Sequence, residues 1–183
     1  MVTNTGSVRV WDIVVRLTHW SVAALVLWNL FEDSGGPLHR AAGYVATGLV
    51  LFRILWGFIG TEPARFSTWV PTPSRVIIEL KGIIARRPTR HLSHTPLGAL
   101  MMLTMWTLIL ALAITGWMSR LDAFWGEDWP RDMHGLLANI LMILIGIHVI
   151  AAIATGKVHN ENLIAAMLTG NKRQDGDRDD AAL

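Results

Sequence analysis

Four stretches of the chain stay apolar long enough to cross a bilayer, which takes about 20 mainly apolar residues. They cover residues 13–31, 38–59, 97–118 and 133–155. The third, Leu97 to Met118, has no charged residue. The pattern predicts an all-α protein, an integral membrane four-helix bundle over residues 8–170. The last residues, "NKRQDGDRDDAAL" at 171–183, read as a disordered tail. Between spans two and three, "SRVIIELKGIIARR" puts Val76, Ile77, Leu80, Ile83 and Ile84 on one helical face. Its basic ends suit a helix lying on anionic lipid. A short helix packed on the bundle ends fits the same pattern equally well. Thr95 before Pro96 reads as a cap followed by a first-turn proline, and "ENLIAAML" after Asn160 predicts a further short helix. The first span is not a cleavable signal on this reading, because it carries Arg16 and His19 and no small-residue cleavage site follows.

Composition agrees with a membrane protein and points to no nucleic-acid partner. Hydrophobic residues make up 52% of 183 and charged ones only 16%, against about a quarter in soluble domains. Cysteine is absent, which removes disulfides, thiolate metal sites and covalent haem attachment. Seven of the nine tryptophans, Trp11, Trp28, Trp56, Trp69, Trp117, Trp125 and Trp129, fall near span ends or in the loops beyond them, as an aromatic belt would. The charges are lopsided. Arg9, Arg16, Arg65, Arg75, Lys81, Arg86, Arg87, Arg90, Lys157, Lys172, Arg173 and Arg178 fall on the side of the two termini. The other side has Arg40, Arg120 and Arg131 among Glu32, Asp33, Asp122, Glu127, Asp128 and Asp132. Both termini are therefore expected to be cytoplasmic.

The fourth span, "MHGLLANILMILIGIHVI", carries His134 and His148 fourteen residues apart. Fourteen residues is about four helical turns and about 21 Å, so the two share a face at different depths. His39 opens span two at the depth of His134, and His19 lies in span one at the depth of His148. Ionisable groups at such depths are functional candidates. Depth-matched pairs, His19 with His148 and His39 with His134, are suited to clamp one haem iron each in a bundle interior. Bis-histidine ligation saturates the iron and favours electron transfer. Gly146 and Gly43 would let a porphyrin approach, or serve close helix packing. Arg53 shares His39's face at the depth of His148 and is a candidate for a haem propionate. Arg16 and Arg40 are further candidates, with snorkelling to lipid headgroups as the plainer role. His94, just before span three, would exchange protons with a quinone or simply be solvated. His91 and His159 read as surface residues.

The ordered set "VWDIVVRLTHW", "LHRAAGYVATGLVLFRILWGFIG", "SHTPLGALMML", "DMHGLLANILMILIGIHV" and "NLIAAMLTGNK" covers about residues 8 to 173. It resembles the four-helix di-haem b-type cytochromes of the bacterial cytochrome b561 family, in the branch that includes the cytochrome b subunit of nickel-iron hydrogenases. The resemblance implies two haem b groups ligated by histidines matching His19, His39, His134 and His148, in the bacterial inner membrane. It implies electron exchange between membrane quinone and a redox partner, such as a periplasmic enzyme or cytochrome c. One branch of the family oxidises superoxide and reduces quinone by itself, so an electron-transfer subunit and a stand-alone oxidoreductase both stay open. The acidic loop "RLDAFWGEDWPRD" would dock a basic partner or be an ordinary loop; oligomeric state is not legible. A reading of another class is a histidine-lined path for protons or metal ions. The spans lack the carboxylates such paths commonly use.

Overall fold

A computed structural model of the chain describes residues 6–32, 34–85 and 95–173. A short strand, β1 (Ser7–Arg9), leads into α1 (Ile13–Phe31) and α2 (Pro37–Ile59). The connection to the next span carries α3 (Phe66–Trp69) and α4 (Pro73–Ile84). Then come α5 (Pro96–Met118), α6 (Trp129–Val158), α7 (Leu163–Thr169) and β2 (Asn171–Arg173). Helices α1, α2, α5 and α6 are long and apolar enough to cross a membrane. Their first turns follow local chemistry. The Thr95 hydroxyl accepts from the Gly98 N–H at 3.0 Å, with Pro96 at the first helical position, as the sequence predicts. Pro37 likewise stands in the first turn of α2, there after Gly36 and without a side-chain cap.

Helix α6 exceeds its expected span of 133–155 at both ends. Hydropathy marks where lipid ends, whereas the helix continues wherever backbone bonding can. Pro130 is tolerated in the first turn and Asp132 suits the positive end of the helix dipole. Residues 171–173, expected within the tail, instead form a strand: Asn171–Arg173 pairs antiparallel with Ser7–Arg9. The remainder, 174–183, lies outside the described residues.

Helix α1 packs along α2, α5 along α6, and α2 against α5, whereas α6 does not pack in this way along α1 or α2. A central cluster joins Val26, Ala46, Val50, Ile109 and Leu141, with every span contributing. Many large apolar side chains, among them Leu17, Leu55, Ile143 and Ile150, stay exposed. In a bilayer the surrounding lipid is as apolar as they are, so packing rather than burial from water drives association.

Both described chain ends meet at one end of the bundle, called here the terminal end; the α1–α2 and α5–α6 turns form the hairpin end. At the terminal end Val10 and Trp11 donate backbone bonds to the Gly170 carbonyl at 2.9 and 3.0 Å. Gly170 has φ of +88°, and an added Cβ would meet the Trp11 carbonyl oxygen at 2.6 Å, so only glycine fits. The Arg16 guanidinium donates to the Leu168 carbonyl in the last turn of α7. Helix α4 joins the bundle through Glu79, which is buried and accepts from the Leu97 N–H at 2.7 Å. Its Ile77, Leu80 and Ile84 stay exposed.

Asp12 is the hub of this end. One carboxylate oxygen caps α1 by accepting from Val15 N–H at 2.8 Å; the other accepts from Trp56 Nε1 at 3.1 Å and Thr61 Oγ1 at 2.6 Å. Burial alone would raise the Asp12 carboxyl, but the bonds from Thr61, Val15 and Trp56 outweigh it and hold it below its ordinary value of 3.8. A depressed folded-state value means the stabilisation is present above the unfolded value and is lost as pH falls through the folded one. Asp12→Ala is expected to cost about 1 kcal/mol or more, read as a lower melting temperature in detergent. Asp12→Asn should flatten the part of the acid-induced loss that begins below 3.8. An unchanged acid profile in that variant would show that Asp12 carries none of it.

Candidate functional site

The four span histidines meet as two pairs, and the pairs are those matched by depth. The rings of His19 on α1 and His148 on α6 have centroids 6.4 Å apart and planes tilted by 49°. Those of His39 on α2 and His134 on α6 are 6.1 Å apart and tilted by 59°. The first pair lies toward the terminal end and the second at the hairpin end. All four are half-buried.

The hairpin-end rings are held by their Nδ1 atoms. His39 Nδ1 lies 2.6 Å from the Glu32 backbone carbonyl and 3.8 Å from its carboxylate Oε2. Asn29 Nδ2 donates to the His39 carbonyl at 3.0 Å, fixing the backbone under the ring. His134 Nδ1 lies 3.0 Å from the Leu112 carbonyl and 3.2 Å from the Thr115 hydroxyl. Thr115 is buried and donates to the Ala111 carbonyl at 2.9 Å, which leaves its oxygen free to accept from the ring. A carbonyl accepts and cannot donate, so each Nδ1 carries the proton and each Nε2 has its lone pair free. Gly116 makes room for this: a Cβ there would stand 3.1 Å from His134 Cε1.

The terminal-end rings are held differently. His19 packs edge-on to Trp20, with centroids 5.1 Å apart, and its Nδ1 is buried with no hydrogen-bond partner. A Cβ added at Gly43 would press on Asn29 Nδ2 at 3.3 Å, which fits the packing role expected of it, whereas Gly146 is exposed and a Cβ there would meet open space.

Arg53 is buried against the segment that follows α2. Its Nη2 donates to the Ala64 carbonyl at 3.3 Å, its guanidinium lies 5.6 Å from the Trp106 ring centroid, and its Nη1 has no partner. Arg16 reaches the end of α7 rather than lipid headgroups, and its Nε is buried without a partner. Arg40 is half-buried in the first turn of α2, beside His39. His94 lies outside the described residues.

Among the described residues no group of three or more His, Cys, Asp or Glu side chains could hold a metal ion. A bare ion such as zinc takes three or four protein donors. Two facing imidazoles suit instead a metal that arrives with its in-plane positions filled. Rings that each reach one central metal at about 2.0 Å, with centres about 1.2 Å behind the ligating nitrogens, stand about 6.4 Å apart. Both pairs hold that separation to within a few tenths of an ångström.

The prokaryotic cytochrome b561 family matches residues 10–170. The chain belongs to this family. It is accordingly a membrane-spanning electron-transfer protein that uses haem b. Relatives include the probable Ni/Fe-hydrogenase B-type cytochrome subunit of Rhizobium leguminosarum bv. viciae, 25% identical over 212 residues, covering 91% of this chain and 89% of that protein. The protein of the same description from Bradyrhizobium diazoefficiens is 25% identical over 213 residues, covering 91% and 86%. That of Azotobacter vinelandii is 22% identical over 225 residues, covering 98% and 94%. No solved structure matches significantly.

The residues that hold this family member's hairpin-end rings were not singled out by sequence. Thr115 and Asn29 gave a signal, as polar residues within apolar spans. Leu112 gave none, because its contribution is a main-chain carbonyl. Glu32 entered only as one acid among several beyond span one.

Proposed function

We propose that this cytochrome b561-family chain holds two b haems and passes electrons through the membrane between a redox partner and quinone. His19 and His148 would ligate one iron, and His39 and His134 the other. The observation that carries this is the pair of imidazole clamps, each with the ring separation one iron requires. Haem b, when bound, takes up and releases one electron at its iron. The protein's part is positional. Each histidine pair would hold its iron between two imidazoles, which would favour electron transfer over ligand binding. The Nδ1 bonds of His39 and His134 fix which ring nitrogen is free to ligate.

The excess of basic residues at the terminal end supports a reading in which both termini lie in the cytoplasm and the spans cross a bacterial inner membrane. The hairpin end then faces the periplasm. There the loop between α5 and α6 exposes Trp125, 88% accessible, and the acids Asp122, Glu127 and Asp128. The relatives are described as hydrogenase cytochrome subunits, and a periplasmic redox enzyme or cytochrome c is the partner this loop would meet. Quinone would exchange electrons at the terminal end, with His94 as its proton donor or acceptor.

Reduced-minus-oxidised spectra and the haem-to-protein ratio of the purified chain test this reading, with two haems per chain expected. His19→Ala and His148→Ala should remove one spectral component, and His39→Ala and His134→Ala the other. Loss of the same component in His39→Ala and His148→Ala would refute the pairing. Reduction of quinone by superoxide without a partner protein would instead favour the stand-alone oxidoreductase.

The Nη1 of Arg53 faces no acceptor within the protein, and a propionate would supply one. Arg53→Met is therefore expected to weaken retention of the terminal-end haem. In haem-free protein it should leave the melting temperature unchanged or raise it, because removing an incompletely paired buried charge costs little. Equal destabilisation with and without haem would count against the propionate role. For His94→Ala, stopped-flow mixing with quinol should show slower haem reduction with both haems retained; an unchanged rate would rule out the proton role.

A further inference from the structure

The two histidine pairs are not equivalent, and the difference lies in what stands behind the rings. His39 is gripped by the C-terminal end of α1. Glu32 is the residue that ends that helix, its N–H bonded to the Trp28 carbonyl. Its own carbonyl, free of helical bonding, takes His39 Nδ1 at 2.6 Å. Its carboxylate is steered to the same atom: Oε1 accepts from the Ser34 hydroxyl, whereas Oε2 is buried, has no hydrogen-bond donor and lies 3.8 Å from His39 Nδ1. Among the described residues no lysine or arginine forms an ion pair with Glu32. Across the gap, the Leu112 carbonyl and Thr115 hydroxyl hold His134 in the same sense, without a charge. Toward the terminal end His19 Nδ1 has no acceptor at all. The cations Arg16 and Arg53 lie at that end.

An imidazole that gives its N–H to a carbonyl and faces a carboxylate is a more basic ligand through its other nitrogen. A more basic axial ligand favours the ferric over the ferrous state, and hydrogen bonding around the ligands is one of the levers a protein has on haem potential. We infer that Glu32 is a positioning residue for the hairpin-end haem: its backbone carbonyl grips His39, and its carboxylate, lying close to the same nitrogen, makes that haem more reducing than it would otherwise be. The inference rests on the two-haem reading above and adds to it a residue that acts through His39.

Glu32→Gln separates the charge from the grip, because the backbone carbonyl stays. The measurement is an equilibrium redox titration of the haem-loaded full-length chain, followed at the haem bands. The hairpin-end component is identified as the one that survives in His19→Ala. In Glu32→Gln that component should shift to a more positive midpoint, the other should stay in place, and the haem-to-protein ratio should remain that of wild type. Glu32→Asp keeps the charge and should titrate close to wild type. Midpoints unmoved in Glu32→Gln, both components moved alike, or an aspartate variant that follows the glutamine one would each overturn the assignment. Loss of the hairpin-end haem in both variants would make Glu32 a structural residue and overturn it as well. If glutamine alone loses that haem while aspartate keeps it at the wild-type midpoint, the assignment is upheld. A wild-type chain with a single haem would fail the two-haem reading itself, a result visible before any Glu32 variant is compared.

Discussion

A ring nitrogen in hydrocarbon has no water to turn to, so each imidazole in a span must find partners within the protein or in what the protein holds. The rest of the structure follows from how that constraint is met. At the hairpin end the helix geometry supplies acceptors for Nδ1 from a helix end, a main-chain carbonyl and a threonine hydroxyl. The other nitrogen of each ring is left for a ligand. Spans α1 and α2 pack on each other, as do α5 and α6, and α2 meets α5. The side where α6 faces α1 and α2 is the loosely packed one, and both histidine pairs bridge it. Leu141 of α6 still packs into the central cluster between the two levels of histidines.

Much of this was legible in the sequence, because the relevant periods are long. Apolar runs of bilayer length gave the four spans, and the capped start of α5 falls where Thr95 puts it. The fourteen-residue spacing of His134 and His148 constrains the pairing, since a four-turn separation on one helix admits only partners at matching depths. What was not legible is short or main-chain. A three-residue strand has no pattern to read, so the pairing of Ser7–Arg9 with Asn171–Arg173 was hidden in what looked like a tail. A carbonyl such as that of Leu112 leaves no mark in the sequence. Arg16 read as a residue reaching for headgroups, yet the carbonyl at the end of α7 is nearer. Glu79 was passed over within an apolar-faced helix, although it is the residue that fastens α4 to α5.

The two ends of the bundle therefore solve one positioning problem by different means. At the hairpin end individual rings are held by hydrogen bonds to their nitrogens. Toward the terminal end the rings are less restrained and the helices that carry them are tied instead. The ties are the Asp12 cap with its Trp56 and Thr61 donors, the Arg16 bond to α7, and the backbone bonds of β1, Val10 and Trp11 with β2 and Gly170.

The β1–β2 clasp gives this arrangement an order in time. It joins residues near 8 to residues near 172, so residues 171–173 leave the ribosome after every span has been made. Until they do, nothing in this clasp ties the start of α1 to the segment beyond α6. A contact between such distant parts of a chain forms late. The gap between His19 and His148 is thus bounded first by α6 and only afterwards by its latch. Of the terminal-end ties, the Asp12 bonds to Trp56 and Thr61 can form as soon as α2 is made, and the β1–β2 clasp is the last to become available.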